Sequence, residues 1–228
     1  MAGSAGGRPV LGLTGMMASG KNLAAEVFRC EWGWAVIDLD RLGHRALARL
    51  EAPLRAAFGD GILKPSAVGG GIDRGVLGRL VFSDPAALAR LESIVHPEMV
   101  RQVREILAED RSPACVLNAA ILHRMGLNTL CHHVLYISVP VDSLVRRIME
   151  RNGISPEAAL ERLAGQEDVN RSGKTADTVL ENDASPEDFL DRVRAFAQNW
   201  FGSIDNGDAT NAVRRANGAH EGPLYPQS

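Results

Sequence analysis

Cysteine is scarce in this chain of 228 residues: Cys30, Cys115 and Cys131 are scattered, and no two share a Cys-x-x-Cys spacing. Neither a zinc site nor a disulfide framework is suggested, so a reduced, cytoplasmic setting is expected. Long apolar runs are missing as well; none approaches the ~18 residues that a membrane-spanning helix needs. Met1–Pro9 is small and polar, without the apolar centre of a signal peptide. An excess of one charge is also absent. The 25 basic and 28 acidic side chains leave a net charge of −3, so nucleic acid is not the expected partner, although a local basic patch can still hold phosphates. No internal repeat is visible.

The length suits one α/β domain with small insertions, large enough to bury a core. Val10–Thr14 reads as a buried strand, and a helical stripe of Leu23, Val27 and Phe28 follows it. Trp34–Ile37, Cys115–Leu117 and Val134–Val139 are further strands, with Thr178–Leu180 a weaker fifth. Helical spacing recurs at Leu88, Leu91 and Val95, then at Met99, Val103, Ile106 and Leu107 after an expected break at Pro97. A last stripe, Phe189, Val193, Phe196 and Trp200, opens on the cap-and-first-turn signal Ser185-Pro186-Glu187. Strands alternating with helices predict a five-stranded, mostly parallel sheet covered on both faces. The loop-like stretch from Gly59 to Gly71 and the helical stretch Asp73–Ala108 are too long for a simple crossover and are expected to form a substrate-side helical subdomain at about 59–110. From Ser203 the periodicity fades, so disordered ends are expected at 1–9 and 204–228.

Gly15-Met-Met-Ala-Ser-Gly-Lys-Asn22 has the frame of a phosphate-binding P-loop, with Asn22 where a Ser or Thr is usual. Glycines let backbone N–H groups turn in around a phosphate, and the following helix adds the positive end of its dipole. Lys21 is placed to reach β- and γ-phosphates. Asn22 stands where a hydroxyl normally ligates Mg2+, and an amide oxygen is also a hard donor. Asp38 and Asp40, with His44 after them, close the second strand at the sheet edge where ligands bind in open α/β folds. A carboxylate there can deprotonate a hydroxyl or hold Mg2+; alternatively Asp40 caps the helix beginning near Arg41.

At this point the chain resembles the dephospho-CoA kinase family. The resemblance runs from Val10 to Trp200 and rests on blocks in order: Gly12–Gly15 into Ser19-Gly20-Lys21; Val36–Asp40 with His44; Gly71-Ile72-Asp73-Arg74 leading to Val81-Phe82; Leu91–Pro97; Arg147–Gly153 followed by Arg162 and Gln166; and Ala176-Asp177 through Asn182. It implies a P-loop three-layer fold over residues 10–203, with the helical substrate insertion and a small lid at about 141–168. It implies transfer of the γ-phosphoryl of ATP, with Mg2+, to the ribose 3′-hydroxyl of dephospho-CoA. Asp40 and Lys21 would be catalytic. Gly15, Ala18, Ser19, Gly20, Lys21, Asn22, Leu23, Arg147, Arg151 and Asn182 would bind ATP. Asp38, Arg74, His96 and Pro97 would face the CoA substrate, and Asn22 and Asp38 the metal. No membrane or nucleic-acid partner is implied.

The chain departs from the family pattern at defined places. Met16, Met17 and Ala18 replace a glycine-rich stretch, Asn22 replaces the hydroxyl, and Asn118–Leu122 followed by His123-Arg124 replaces Asp-x-Pro-Leu-Leu and Glu. Two other readings stay open on the residues alone: another small P-loop nucleoside or nucleotide kinase, and a catalytically weak sensor of ATP or CoA.

Overall fold

The five apolar segments become strands β1 (Val10–Thr14), β2 (Ala35–Asp38), β3 (Cys115–Asn118), β4 (His133–Ser138) and β5 (Thr178–Glu181). The helices are α1 (Lys21–Trp32), α2 (Leu39–Arg49), α3 (Glu51–Phe58), α4 (Arg74–Phe82), α5 (Pro85–Glu109), α6 (Val141–Asn152), α7 (Pro156–Ala164), α8 (Glu167–Ser172) and α9 (Pro186–Asp205). This computed structural model describes residues 8–65, 70–82 and 84–205. The expected disordered ends fall almost wholly outside those residues, and α9 continues to Asp205.

The strands form one sheet in the order β2-β3-β1-β4-β5, and the ladders of β1 with β3, β1 with β4, and β4 with β5 are parallel. β1 has a neighbour on each side and is buried at all five positions. A strand covered on both faces needs no polar alternation, which explains its unbroken apolar run. The α/β expectation holds.

The chain divides into two compact units: residues up to Val36 together with those from Ser112 onward, and Ile37–Arg111. In the first unit, Phe28, Trp34, Phe189, Val193 and Trp200 pack with Leu11, Leu13, Leu135 and Ile137 of the strands. The Phe28 and Trp34 rings stack at 5.0 Å, and Trp200 meets Trp34 edge-on at 5.5 Å. Each such side chain contributes roughly 1.5–3 kcal/mol by leaving water. A separate cluster joins Leu144 and Ile148 of α6, Ala159 and Leu163 of α7 and Val169 of α8 to Met16 and Val139. The start of α9 follows its sequence signal: the Asp188 N–H donates to Ser185 Oγ at 3.1 Å, and that hydroxyl donates to the Asp188 carboxylate at 2.6 Å.

In the second unit, α5 packs against α2, α3 and α4. Here one expectation is overturned. α5 runs unbroken through Pro97, which lies inside it. Proline removes one backbone hydrogen bond and crowds the preceding turn, but Val95, Met99 and Val103 are buried on both sides of it, so packing holds the two halves in one helix. Before α4, Leu63 bridges Ile72 antiparallel and Lys64 N–H donates to Gly71 O at 2.9 Å; Ser66–Gly69 lie outside the described residues. No described helix is long and apolar enough to cross a membrane.

Candidate active site

The first unit carries the phosphate cradle where β1 ends. Gly15 has φ 145° and Gly20 φ 98°, and neither tolerates a side chain. A Cβ on Gly15 would stand 2.6 Å from Ile137 O, and one on Gly20 would stand 2.5 Å from Asn182 Nδ2. Gly20 is the N-cap of α1, so the positive end of that helix's dipole faces the loop. Ser19 is only 1% exposed, and among the described residues its Oγ has no hydrogen-bond partner. A glycine-framed turn at a helix N-terminus with an unspent buried hydroxyl fits a bound phosphate. Lys21 Nζ folds back on the loop, donating to Gly15 O at 2.7 Å and Met16 O at 2.9 Å. Leu23, two residues on, is exposed on α1.

The three residues that replace the family's glycines have a structural role. Met16 is buried in the α6–α8 cluster, with Met17 and Ala18 packed against it, and Met17 N–H donates to Gln166 Oε1 at 2.8 Å. Apolar side chains thus tie the loop to those helices, where a glycine-rich loop would have only backbone. Ala18 adopts φ 60°, a left-handed conformation that costs an alanine roughly 1–2 kcal/mol.

Arg147 and Arg151, expected to bind ATP, lie four residues apart on α6 and make different contacts. Arg147 donates to Asn182 O at 3.0 Å and to Ala18 O at 3.4 Å. Arg151 is exposed and donates to its neighbour Asn152 at 3.2 Å. Asn182 is 6% exposed, with its Nδ2 on Ser19 O at 2.8 Å and its backbone N–H on Ser138 O at 2.8 Å. It braces the loop from behind. Asn118 Nδ2 donates to Asn22 Oδ1 at 2.8 Å, joining two of the departures from the family pattern.

Of the other family departures, Arg124 pairs with Asp168 of α8 at 3.5 Å. Burial pushes the His123 imidazole below its ordinary value.

The second unit carries the other expected residues. Asp38 is the N-cap of α2, its Oδ1 accepting from Arg41 N–H at 3.1 Å. Capping therefore falls to Asp38. Asp40 stands in the first turn of α2, exposed. Asp73 caps α4, accepting from Gly75 N–H at 2.9 Å and Val76 N–H at 3.0 Å, which holds its carboxyl below the usual range. Arg74 opens α4 and lines an open recess of about 540 Å3 with Gly75, Gly78, Arg79 and Phe82. Phe82 is 87% exposed, so its ring is presented to solvent rather than to a core. His96 is half-buried in the middle of α5 and Pro97 follows it on the exposed side. Gly78, Arg79 and Phe82, which line this recess with Arg74, do not stand out in the sequence as candidate site residues. Their signal was the run of small and basic residues on one face of α4, which only the helix phase reveals.

Hard oxygen donors for a metal are present in each unit: Asn22 Oδ1, already bonded once, and the Asp38 carboxylate, with one oxygen spent on Arg41. Among the described residues, no group of three or more His, Cys, Asp or Glu side chains could hold a metal ion on its own.

Comparison with known proteins adds the following. The family model described as dephospho-CoA kinase matches residues 9–188. A curated dephospho-CoA kinase of Thermus thermophilus is 37% identical over 198 residues, covering 87% of this chain and 95% of the relative. One from Symbiobacterium thermophilum is 37% identical over 194 residues, covering 82% and 77%. Among solved structures, a Thermus thermophilus protein aligns with TM-score 0.71 at 37% identity, over 83% of this chain and 96% of that one. A Campylobacter jejuni dephospho-CoA kinase aligns with TM-score 0.64 at 28% identity, over 87% and 98%.

Proposed function

The chain belongs to the dephospho-CoA kinase family, and on that premise we propose that it transfers the γ-phosphoryl of ATP to the ribose 3′-hydroxyl of dephospho-CoA, releasing ADP and coenzyme A. The observation that carries this reading is the reach of the family match, residues 9–188. It takes in the phosphate cradle and the whole of the Ile37–Arg111 unit. A generic phosphate loop would account for the cradle alone.

Within this reading the loop N–H groups and the Ser19 hydroxyl hold the phosphates of ATP. Lys21 turns from the Gly15 and Met16 carbonyls to the β- and γ-phosphates and offsets charge during transfer. Arg147 and Asn182 keep the loop in shape, and Arg151 is the lid cation for the phosphates. Asp40 accepts the proton of the attacking hydroxyl; its carboxylate has no hydrogen bond or ion pair among the described residues, so it is not committed to the fold. Mg2+ bound with ATP would neutralise charge on the phosphate oxygens, and Asp38 would hold it, directly or through water. The α4 face seats the acceptor. Arg74 and Arg79 suit its pyrophosphate, and the exposed Phe82 ring suits its base or its pantetheine arm. His96 and Pro97 belong to the same acceptor side.

The test is an acceptor panel. Purified protein with ATP and Mg2+ is expected to form ADP with dephospho-CoA and not with nucleoside monophosphates, shikimate or gluconate. Asp40→Asn is expected to lower kcat by at least about a hundredfold with ATP affinity held within a few-fold. Turnover on a nucleoside monophosphate in place of dephospho-CoA overturns the assignment. An unchanged rate in Asp40→Asn removes Asp40 from the chemistry.

A further inference from the structure

Asn118 ends β3, level with Leu13 in the register of the β1–β3 ladder, and Ala119 N–H donates to Leu13 O at 3.0 Å just beyond it. Its backbone is therefore held by the sheet at the point where the cradle begins. Its side chain is 7% exposed, and Asn118 Nδ2 reaches Asn22 Oδ1 at 2.8 Å. Asn22 is the second residue of α1 and is itself exposed. An exposed asparagine at a helix start has several rotamers of similar energy; a donor fixed on a sheet strand selects one.

The direction of that bond decides what Asn22 can offer. An amide carries its oxygen and its NH2 on opposite sides of one plane. With Oδ1 turned to Asn118, the two N–H donors of Asn22 turn the other way. We propose that Asn118 is a positioning residue that orients the Asn22 amide, so that Asn22 gives an N–H to a phosphate oxygen of the nucleotide instead of an oxygen to its metal. The two residues then act as one device. The hydroxyl usual at position 22 and the acid usual at 118 are replaced together because a carboxylate at 118 could not donate the bond. Losing the acid also removes a negative charge from the neighbourhood of the phosphates. This inference rests on the ATP-binding half of the proposed function and is independent of the acceptor.

ATP affinity, measured calorimetrically without acceptor, in excess EDTA and again in Mg2+, separates the two roles. A donor to phosphate works without metal. Asn118→Leu and Asn22→Ala are each expected to weaken ATP binding about five-fold in both conditions, the size of one hydrogen bond. The double variant is expected to lose no more than either single one, since they break the same device. Asn118→Asp gives a reading of different sign and keeps a polar side chain if the leucine variant fails to fold. The carboxylate can only accept, so the Asn22 amide turns over, spends its NH2 on position 118 and shows its oxygen to the phosphates. ATP binding by Asn118→Asp should then fall more than ten-fold in EDTA and recover most of that loss in Mg2+. A loss in Asn118→Leu seen only with Mg2+ would assign Asn22 to the metal and overturn the inference. So would additive losses in the double variant, or a melting temperature that falls while ATP affinity does not. If the unmodified protein bound no ATP at all, the proposed function would fall with it; ATP binding without turnover on dephospho-CoA would overturn only the acceptor assignment.

Discussion

The cradle unit and the Ile37–Arg111 unit hold their polar groups by opposite means. Around the cradle, buried or half-buried polar side chains reach across the sequence to backbone: Asn182 to Ser19, Arg147 to Ala18, Gln166 to Met17. In the helical unit three of the comparable bonds stay within one turn, Asp38 to Arg41, Asp73 to Val76 and Asp84 to Ala86, and the one that reaches further, Arg90 to Ala57 O at 3.2 Å, is exposed. The first pattern fixes a shape from several directions, so removing one group leaves a buried polar partner unpaired. The second fixes only where a helix begins and leaves Asp40, Arg74 and Phe82 exposed. Binding the invariant triphosphate favours the first arrangement. Seating a long, jointed acceptor such as dephospho-CoA tolerates the second.

A pair of glycine substitutions tests this contrast most strongly. Gly20→Ala places a Cβ 2.5 Å from Asn182 Nδ2 at a φ of 98°. It is expected to destabilise the protein by about 2 kcal/mol or more and to weaken ATP binding. Gly61→Ala in the helical unit meets nothing within 4 Å, and its effect should stay within about 0.5 kcal/mol. Thermal melts of the two variants decide it; comparable losses would mean that the cradle is no more constrained than the helices.

Next in size is an effect on kinetics without one on stability. Phe82 is 87% exposed, so Phe82→Ala should leave the melting temperature almost unchanged. If the α4 face seats the acceptor, KM for dephospho-CoA should rise about ten-fold while KM for ATP holds, the loss expected when an aromatic contact is cut from an interface. An unchanged acceptor KM would return Phe82 to the solvent surface.

How far the sequence reached differs between the same two units. The strands, the cradle frame and the family were legible, because a buried parallel strand is an unbroken apolar run and a phosphate loop needs glycine at fixed places. The continuity of α5 was not, since Pro97 is a local stop signal that only packing on α2, α3 and α4 overrides. The anchoring of Met16, the bonds of Arg147 to Asn182 and Ala18 and the bond between Asn118 and Asn22 were also hidden. Each joins residues remote in sequence or depends on rotamers, which spacing along a helix does not report. The division of labour between Asp38 and Asp40 turned on which carboxylate lay one residue outside the helix.

Acid distinguishes the units in a further, smaller way. His133 on β4 is buried beside Thr178, Phe196 and Trp200, and burial lowers its pKa, with Asp177 opposing. The unfolded chain therefore takes up the proton first, and stability is lost as pH falls below the ordinary histidine value of about 6.5. In the helical unit, hydrogen bonds from Arg101 and then Gln102 hold Glu98 at about 2, below its ordinary 4.5. Its contribution is present above 4.5 and lost as pH falls toward 2. Amide exchange should thus rise first around β4 and α9 between pH 7 and 5, and around α5 only at lower pH. His133→Phe should flatten the first phase; an unaltered profile in that variant would remove His133 as its source.

The smallest effect isolates the strain in the cradle itself. Ala18 sits at φ 60°, where its Cβ costs roughly 1–2 kcal/mol. Glycine would relieve that cost, but it gives back about 0.5–1 kcal/mol through the greater freedom of the unfolded chain, and it removes a methyl packed against the α6–α8 cluster. Ala18→Gly is therefore expected to stabilise the protein by less than about 1 kcal/mol, with ATP affinity held within two-fold. The sign carries the information. A gain means that the loop conformation is imposed on Ala18 by Arg147, Asn182 and Gln166 around it, as the cross-sequence bonding of this unit requires. A loss would mean that the Ala18 methyl, like Met16, anchors the loop to the α6–α8 helices strongly enough to outweigh its own strain, and melting curves of the single variant distinguish the two.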